Sequence, residues 1–175
     1  MTDISATGSE STAVHDSALI ETLSESEIAE IEAECAHLPD RQSAAIDALM
    51  IVQDHRGWVS DTSLFAIARL LGMSAEALDA VATFYNRIYR RPVGRHVVML
   101  CDSVSCYVMG ADPLAEQVKA HLGINFGETT PDDRFTLLPI PCLGACDRAP
   151  TMLVGEELIV DVEADRLDEI FGRFE

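Results

Sequence analysis

Two apolar runs in this chain each deliver a cysteine: HVVMLC at 96–101 ends on Cys101, and FTLLPI at 135–140 leads through Pro141 to Cys142. Both are short and rich in Val, Leu and Ile, which predicts two strands, each passing the chain straight into a loop with a cysteine pair. The pairs read CDSVSC at 101–106 and CLGAC at 142–146, spacings of x4 and x3, and only Cys35 lies outside them. Pro113 to Leu122 reads as a helix, TMLV and LIVDV as a hairpin around Gly155, and Ala164 to Phe174 as a last helix. Strand, helix, strand, strand, helix is an α/β layer. One edge of its sheet is expected to present Cys101, Cys106, Cys142 and Cys146 to a common point.

Upstream the period changes to that of helices. Ser24 and Glu27 form a capping-box pattern, and Ile28, Ile31, Cys35 and Leu38 follow on one stripe that Pro39 ends, which places Cys35 in a core. A second helix is expected from Gln42 to Arg56, burying Ala45, Ile46, Leu49, Met50 and Val52 before Gly57. Asp61 is expected to cap a third helix through Leu71, and Ser74 a fourth through Val81 and Phe84. The organisation is thus a polar, acidic tail over 1–22, a small helical bundle over 23–90, and the cysteine-bearing lobe over 91–175. Between Asp79 and Asp102 there is no acid, and Arg87, Arg90, Arg91 and Arg95 cluster with Phe84, Tyr85 and Tyr89. That stretch reads as a linker. It either relieves self-repulsion or offers a docking surface.

Charge narrows the function classes. The 175 residues carry 30 Asp plus Glu against 12 Lys plus Arg, a net charge of -18, and Lys119 is the single lysine. Such a field repels nucleic-acid backbones and anionic lipid, so neither nucleic-acid binding nor adsorption to a membrane is expected, and no run approaches the ~18 apolar residues of a membrane span, so insertion is not expected either. The first ten residues lack the basic start and apolar stretch of a secretory signal, and no arginine precedes Arg41. A cytoplasmic location is the expectation, and in a reducing compartment paired cysteines serve metals or catalysis more often than disulfides.

Four chemistries compete for the pairs. A disulfide framework needs an oxidising compartment. A dithiol oxidoreductase normally uses two thiols two residues apart at a helix start, which neither spacing matches. Structural zinc accepts four thiolates but favours tight knuckles in domains too small for a core. A two-iron cluster takes four thiolates from longer loops, and an x4 spacing occurs in plant-type ferredoxins. Ser103, Ser105, Gly144 and Ala145 would let backbone N–H groups approach its sulfurs. Asp102 and Asp147 beside the ligands disfavour an added electron, with Arg148 opposing them, so a low-potential one-electron centre is expected.

RGWV at 56–59, VATFYNRI at 81–88, RPVGRHVVMLCDSVSC at 91–106, GETTP at 127–131 and RFTLLPIPCLGACDRAPTML at 134–153 also carry a resemblance. From about residue 24 onward the chain resembles the thioredoxin-like [2Fe-2S] subunit of NADH:quinone oxidoreductase (respiratory complex I), in the form found in bacteria. C-x4-C followed by C-x3-C, with LGAC and a nearby Ala-Pro, is the signature. It departs from many family members in reading DSVS between the first two ligands.

The resemblance implies an α+β protein whose second lobe is thioredoxin-like, with Cys101 and Cys106 as one ligand pair and Cys142 and Cys146 as the other. It implies an electron-transfer subunit of an NADH dehydrogenase module. A neighbouring flavin subunit would hold FMN and NADH, other peripheral-arm subunits would be partners, and the complex would sit at the inner face of the cell membrane. No Gly-rich phosphate turn follows a strand, so this chain alone is not expected to bind NADH. The same subunit type in a soluble NAD-linked formate dehydrogenase or hydrogenase, and a structural zinc module, remain the alternatives. Of the five histidines only His96, five residues before Cys101, stands near a candidate ligand.

Overall fold

Ser24 and Glu27 form the expected capping box: the Glu27 N–H donates to Ser24 Oγ at 3.2 Å and the Ser24 N–H to Glu27 Oε2 at 2.6 Å. The protein, here a computed structural model describing residues 23–174, starts its first helix there, α1 (Glu25–Cys35). The acidic tail expected over 1–22 lies outside the described residues. Ile31 is fully buried, with Ile28, Cys35 and Leu38 packed partly buried beside it.

Helix α2 (Ala45–Arg56) begins three residues later than its periodicity predicts. Asp40 accepts from the Ser43 N–H and holds Arg41–Ala44 as a 3₁₀ turn first. Ala45, Ala48, Leu49 and Val52 enter the core, whereas Ile46 is only half-buried and Met50 packs at the margin. The physical reason is phase: at 3.6 residues per turn Ile46 sits about 100° from Ala45, on the flank of the buried stripe.

Helix α3 (Asp61–Leu71) is capped by Ser60, not by Asp61; the Ser60 hydroxyl takes the Ser63 N–H at 3.1 Å. Ser74 caps α4 (Ala75–Phe84) as expected. Polar side chains then bind the four helices together. Glu27 accepts Arg56 through both oxygens at 2.5 and 2.6 Å, and Arg56 also donates to Ser63 Oγ at 3.1 Å, so α1, α2 and α3 share one network. Gln53 reaches the chain after α4, donating to the Arg87 carbonyl at 2.8 Å and accepting from the Tyr89 N–H at 2.6 Å. Arg90 donates to Asp79 at 2.9 Å, to Asp61 at 2.6 Å and to the Val59 carbonyl. Arg90, one of the four arginines of the acid-free stretch, is thus a strut of the bundle.

A second compact unit begins at Val93. Its sheet has the order β2–β1–β3–β4, formed by β1 (His96–Cys101), β2 (Phe135–Ile140), β3 (Met152–Val154) and β4 (Glu157–Ile159). β1 runs parallel to β2 and antiparallel to β3, and β3 pairs antiparallel with β4 in the expected hairpin. The parallel pair needs a crossover. It contains α5 (Val104–Val108), a short helix the cysteine spacing concealed, and α6 (Ala111–Leu122). The last helix is shorter than predicted: a 3₁₀ turn at Ala164–Arg166 precedes α7 (Leu167–Phe171).

Leu114 and Val118 of α6 and Leu167, Ile170 and Phe171 of α7 pack with Val98, Leu100, Leu137, Met152 and Val154. Since side chains alternate along a strand, Met99 and Cys101 belong to the opposite face from Val98 and Leu100. Gly94 delivers the chain into β1: a Cβ there would stand 2.9 Å from the Asp133 carbonyl oxygen and 3.0 Å from Phe135 N. Only glycine lets the two backbones pass so closely, and its N–H donates to Thr136 Oγ1 at 2.7 Å. The described residues thus form an α+β protein.

Candidate metal centre

The parallel pairing of β1 with β2 builds the site. In that register Cys101 lies opposite Ile140, the last residue of β2, so both strands release their loops at the same end. The Asp102 N–H donates to the Ile140 carbonyl at 3.0 Å and ties the two exits together. The first loop turns at once into α5, which carries Cys106 on its buried side; the second runs from Cys142 to a 3₁₀ turn that opens on Cys146.

The four thiols form an inner and an outer pair. Cys101 and Cys106 are buried and interact with each other, and Cys106 Sγ lies 3.6 Å from the Thr151 hydroxyl. Cys142 and Cys146 are exposed, with 3.9 Å between their sulfurs. Gly144, at φ +79°, points its N–H to Cys142 Sγ at 3.3 Å, a conformation an L side chain rarely adopts. The inner and outer loops touch through the Leu143 N–H, which serves Cys101.

The two inner thiols are driven apart electrostatically. Burial pushes Cys101 up, but hydrogen bonds from the Ser103 N–H, Cys106, the Leu143 N–H and Thr151 outweigh it and hold the thiol below its ordinary value. Burial leads at Cys106 too, and there the neighbouring Cys101 keeps the thiol above the usual range against the Thr151 hydrogen bonds. The pair resists losing both protons, and a cation bound to both sulfurs would remove that penalty.

Among the described residues no three Cys, His, Asp or Glu side chains converge on one point as a single ion requires. Two pairs from adjacent loops, each supplied with N–H or O–H donors, suit a binuclear cluster in which each metal takes two thiolates. By that test the residues present fit a two-iron cluster.

A family model of the thioredoxin-like [2Fe-2S] ferredoxins matches residues 31–175. The chain belongs to that family. Among its relatives, the E subunit of the NADH-quinone oxidoreductase of Pseudomonas aeruginosa is 46% identical over 152 residues, which are 87% of this chain and 92% of that one. The corresponding subunit from Escherichia coli is 44% identical over the same shares. In structure, this thioredoxin-like ferredoxin is similar to a chain of an NAD+-reducing [NiFe]-hydrogenase, with a TM-score of 0.63, 22% identity, and coverage of 75% of this chain but 22% of that one. At that identity the likeness is one of fold.

Other expectations about this thioredoxin-like ferredoxin sort themselves by location. Cys35 packs against the helical core and belongs to the first unit. His96 starts β1, five residues and about 16 Å of strand from Cys101, with its ring 5.8 Å from that of Phe135 and 5.4 Å from that of Phe174. It packs among aromatics. His121 stacks on Phe171 at 5.3 Å, and His55 meets Glu30 at 3.0 Å. Arg148, expected to offset the acids beside the ligands, pairs with Asp161. Thr151 escapes a reading of the sequence; the available signal is a hydroxyl residue heading a buried strand just beyond the second cysteine pair.

Proposed function

We propose that this chain is the electron-transfer subunit of the NADH dehydrogenase module of an NADH:quinone oxidoreductase, in which Cys101, Cys106, Cys142 and Cys146 hold one [2Fe-2S] cluster. FMN and NADH belong to a neighbouring subunit, other peripheral-arm subunits complete the assembly, and the complex lies at the cytoplasmic face of the membrane. The observation that carries this reading is that two loops, each with a thiol pair, leave the adjacent parallel strands β1 and β2 at the same end. The names of the NADH-quinone oxidoreductase relatives, and the 92% of their length that is matched, support the host complex. Among the described residues no helix is long and apolar enough to cross a membrane.

Bound there, the cluster supplies one-electron exchange with the flavin, which splits the two-electron hydride of NADH. The chain's own part is to hold and bias the site. Cys101 and Cys106 anchor the inner side, where burial excludes water, while Cys142 and Cys146 face outward. N–H groups of Ser103, Leu143 and Gly144 and the Thr151 hydroxyl favour thiolate charge. Asp102 and Asp147 flank the ligands and oppose further negative charge, and Arg148 is partly neutralised by Asp161, so a low potential follows.

Purification without air tests this directly. The expected result is about two irons and two acid-labile sulfides per chain, and a rhombic EPR signal only after reduction. Stoichiometric zinc without labile sulfide overturns it. The isolated chain is expected not to oxidise NADH, and to support cluster reduction by NADH only when joined to the flavin subunit.

A further inference from the structure

Helix α5 turns Cys106 inward and leaves its other side bare. Val104, Tyr107, Val108 and Met109 are 77%, 60%, 76% and 61% exposed, half of the large hydrophobic residues that are exposed among those described. Single exposed apolar residues are ordinary; four on one turn and a half of helix form a patch of the kind that marks an interaction site. The helix is about 10 Å across, so a body seated on this face comes within roughly that distance of the Cys106 thiol.

Charge indicates what sits there. No Lys or Arg occurs between Arg95 and Lys119, whereas Asp102 and Asp112 do, and both are exposed; Glu116 is paired with Lys119 at 2.7 Å. Beside Met109 a groove of about 410 Å³ continues the face, lined among others by Pro113, Gln117 and Glu163, and by Asp161, whose charge Arg148 already offsets. The patch is therefore apolar at its centre and acidic at its edge. A second copy of this chain would bring the same acids against them in a two-fold interface, and anionic lipid would be repelled. A protein with an apolar centre and a rim of Lys and Arg is complementary. We infer that the α5 face is a surface on which the flavin-bearing partner docks; this rests on the function proposed above.

The test uses the full chain, loaded with its cluster, and the flavin-bearing subunit. The double variant Y107D/V108D is expected to keep the visible and EPR spectra of the wild type while its affinity for that subunit falls about a hundredfold. If that variant loses its cluster, V108S/M109S is read in its place, with an expected loss of about tenfold. Asp112→Lys is expected to slow association several-fold at low salt, the difference disappearing at high salt, as charge steering requires. Unchanged affinity in the spectrally intact variants, with wild-type binding normal, defeats the α5 assignment alone. A loaded wild type that binds no flavin subunit defeats the function on which it rests. Self-association of the wild type that Y107D/V108D abolishes, with partner binding untouched, assigns the face to a second copy and overturns the inference.

Discussion

The two units bury their polar side chains for different ends. In the helical unit these are Glu27, Gln53 and Ser63, and each joins helices or straps the chain after α4 back onto them. In the sheet unit they are Thr130, Thr136 and Thr151: Thr130 fastens the turn that enters β2, Thr136 takes the Gly94 N–H where the chain enters β1, and Thr151 puts its hydroxyl on a candidate ligand. Charge inside the bundle is structural cross-linking, placed where long side chains must hold short helices in register. The sheet unit gets its register from backbone ladders, and one of its three buried hydroxyls, Thr151, is placed at sulfur. A polar residue's meaning thus depends on which unit needs it.

The sharpest way to break this contrast is at the thiols. Cys142→Ser is expected to abolish or grossly alter the cluster while leaving the helical content intact, measured by iron and sulfide content alongside far-UV circular dichroism. An unchanged visible spectrum would remove Cys142 from the ligand set. Next comes the bundle's buried pair. Glu27→Gln leaves Arg56 without its carboxylate, at an expected cost of about 2 kcal/mol, less than for a fully buried pair because Arg56 is 31% exposed. Urea unfolding of the helical signal reads it.

The same pair makes an acid-stability prediction. Burial pushes the Glu27 carboxyl up, but the Arg56 and Ser24 hydrogen bonds overcome it and hold the group below the ordinary glutamate value. A lowered folded value means stability fully present above the unfolded value of about 4.3 and lost as pH falls through the folded one. The bundle of Glu27→Gln should therefore lose less stability than the wild type between neutral pH and about pH 3, in matched urea titrations.

Arg90→Ala removes donors from Val59, Asp61 and Asp79 together and is expected to cost about 1 kcal/mol, since Asp61 and Asp79 are largely solvated. Thermal unfolding checks it, and a loss of partner affinity with unchanged stability would return Arg90 to a docking role. The smallest effect is expected at Cys35→Ser, below about 1 kcal/mol with the cluster spectrum unchanged, because Cys35 is only half-buried at the margin of the helical core.

What the sequence determined by itself was local. Caps at Ser24 and Ser74, the stripe through Ile31 and the apolar runs ending at Cys101 and Ile140 are legible because period and capping act within a few residues. Cysteine spacing likewise marked four thiols as candidates and set Cys35 aside. Tertiary structure decided the rest: that β1 and β2 run parallel, that their ends therefore release both cysteine loops side by side, and that the thiols divide into a buried and an exposed pair. It also gave Arg90 its partners and left one side of Val104–Val108 bare. Each depends on groups tens of residues apart, and a pattern read along the chain carries no term for where distant backbone will stand.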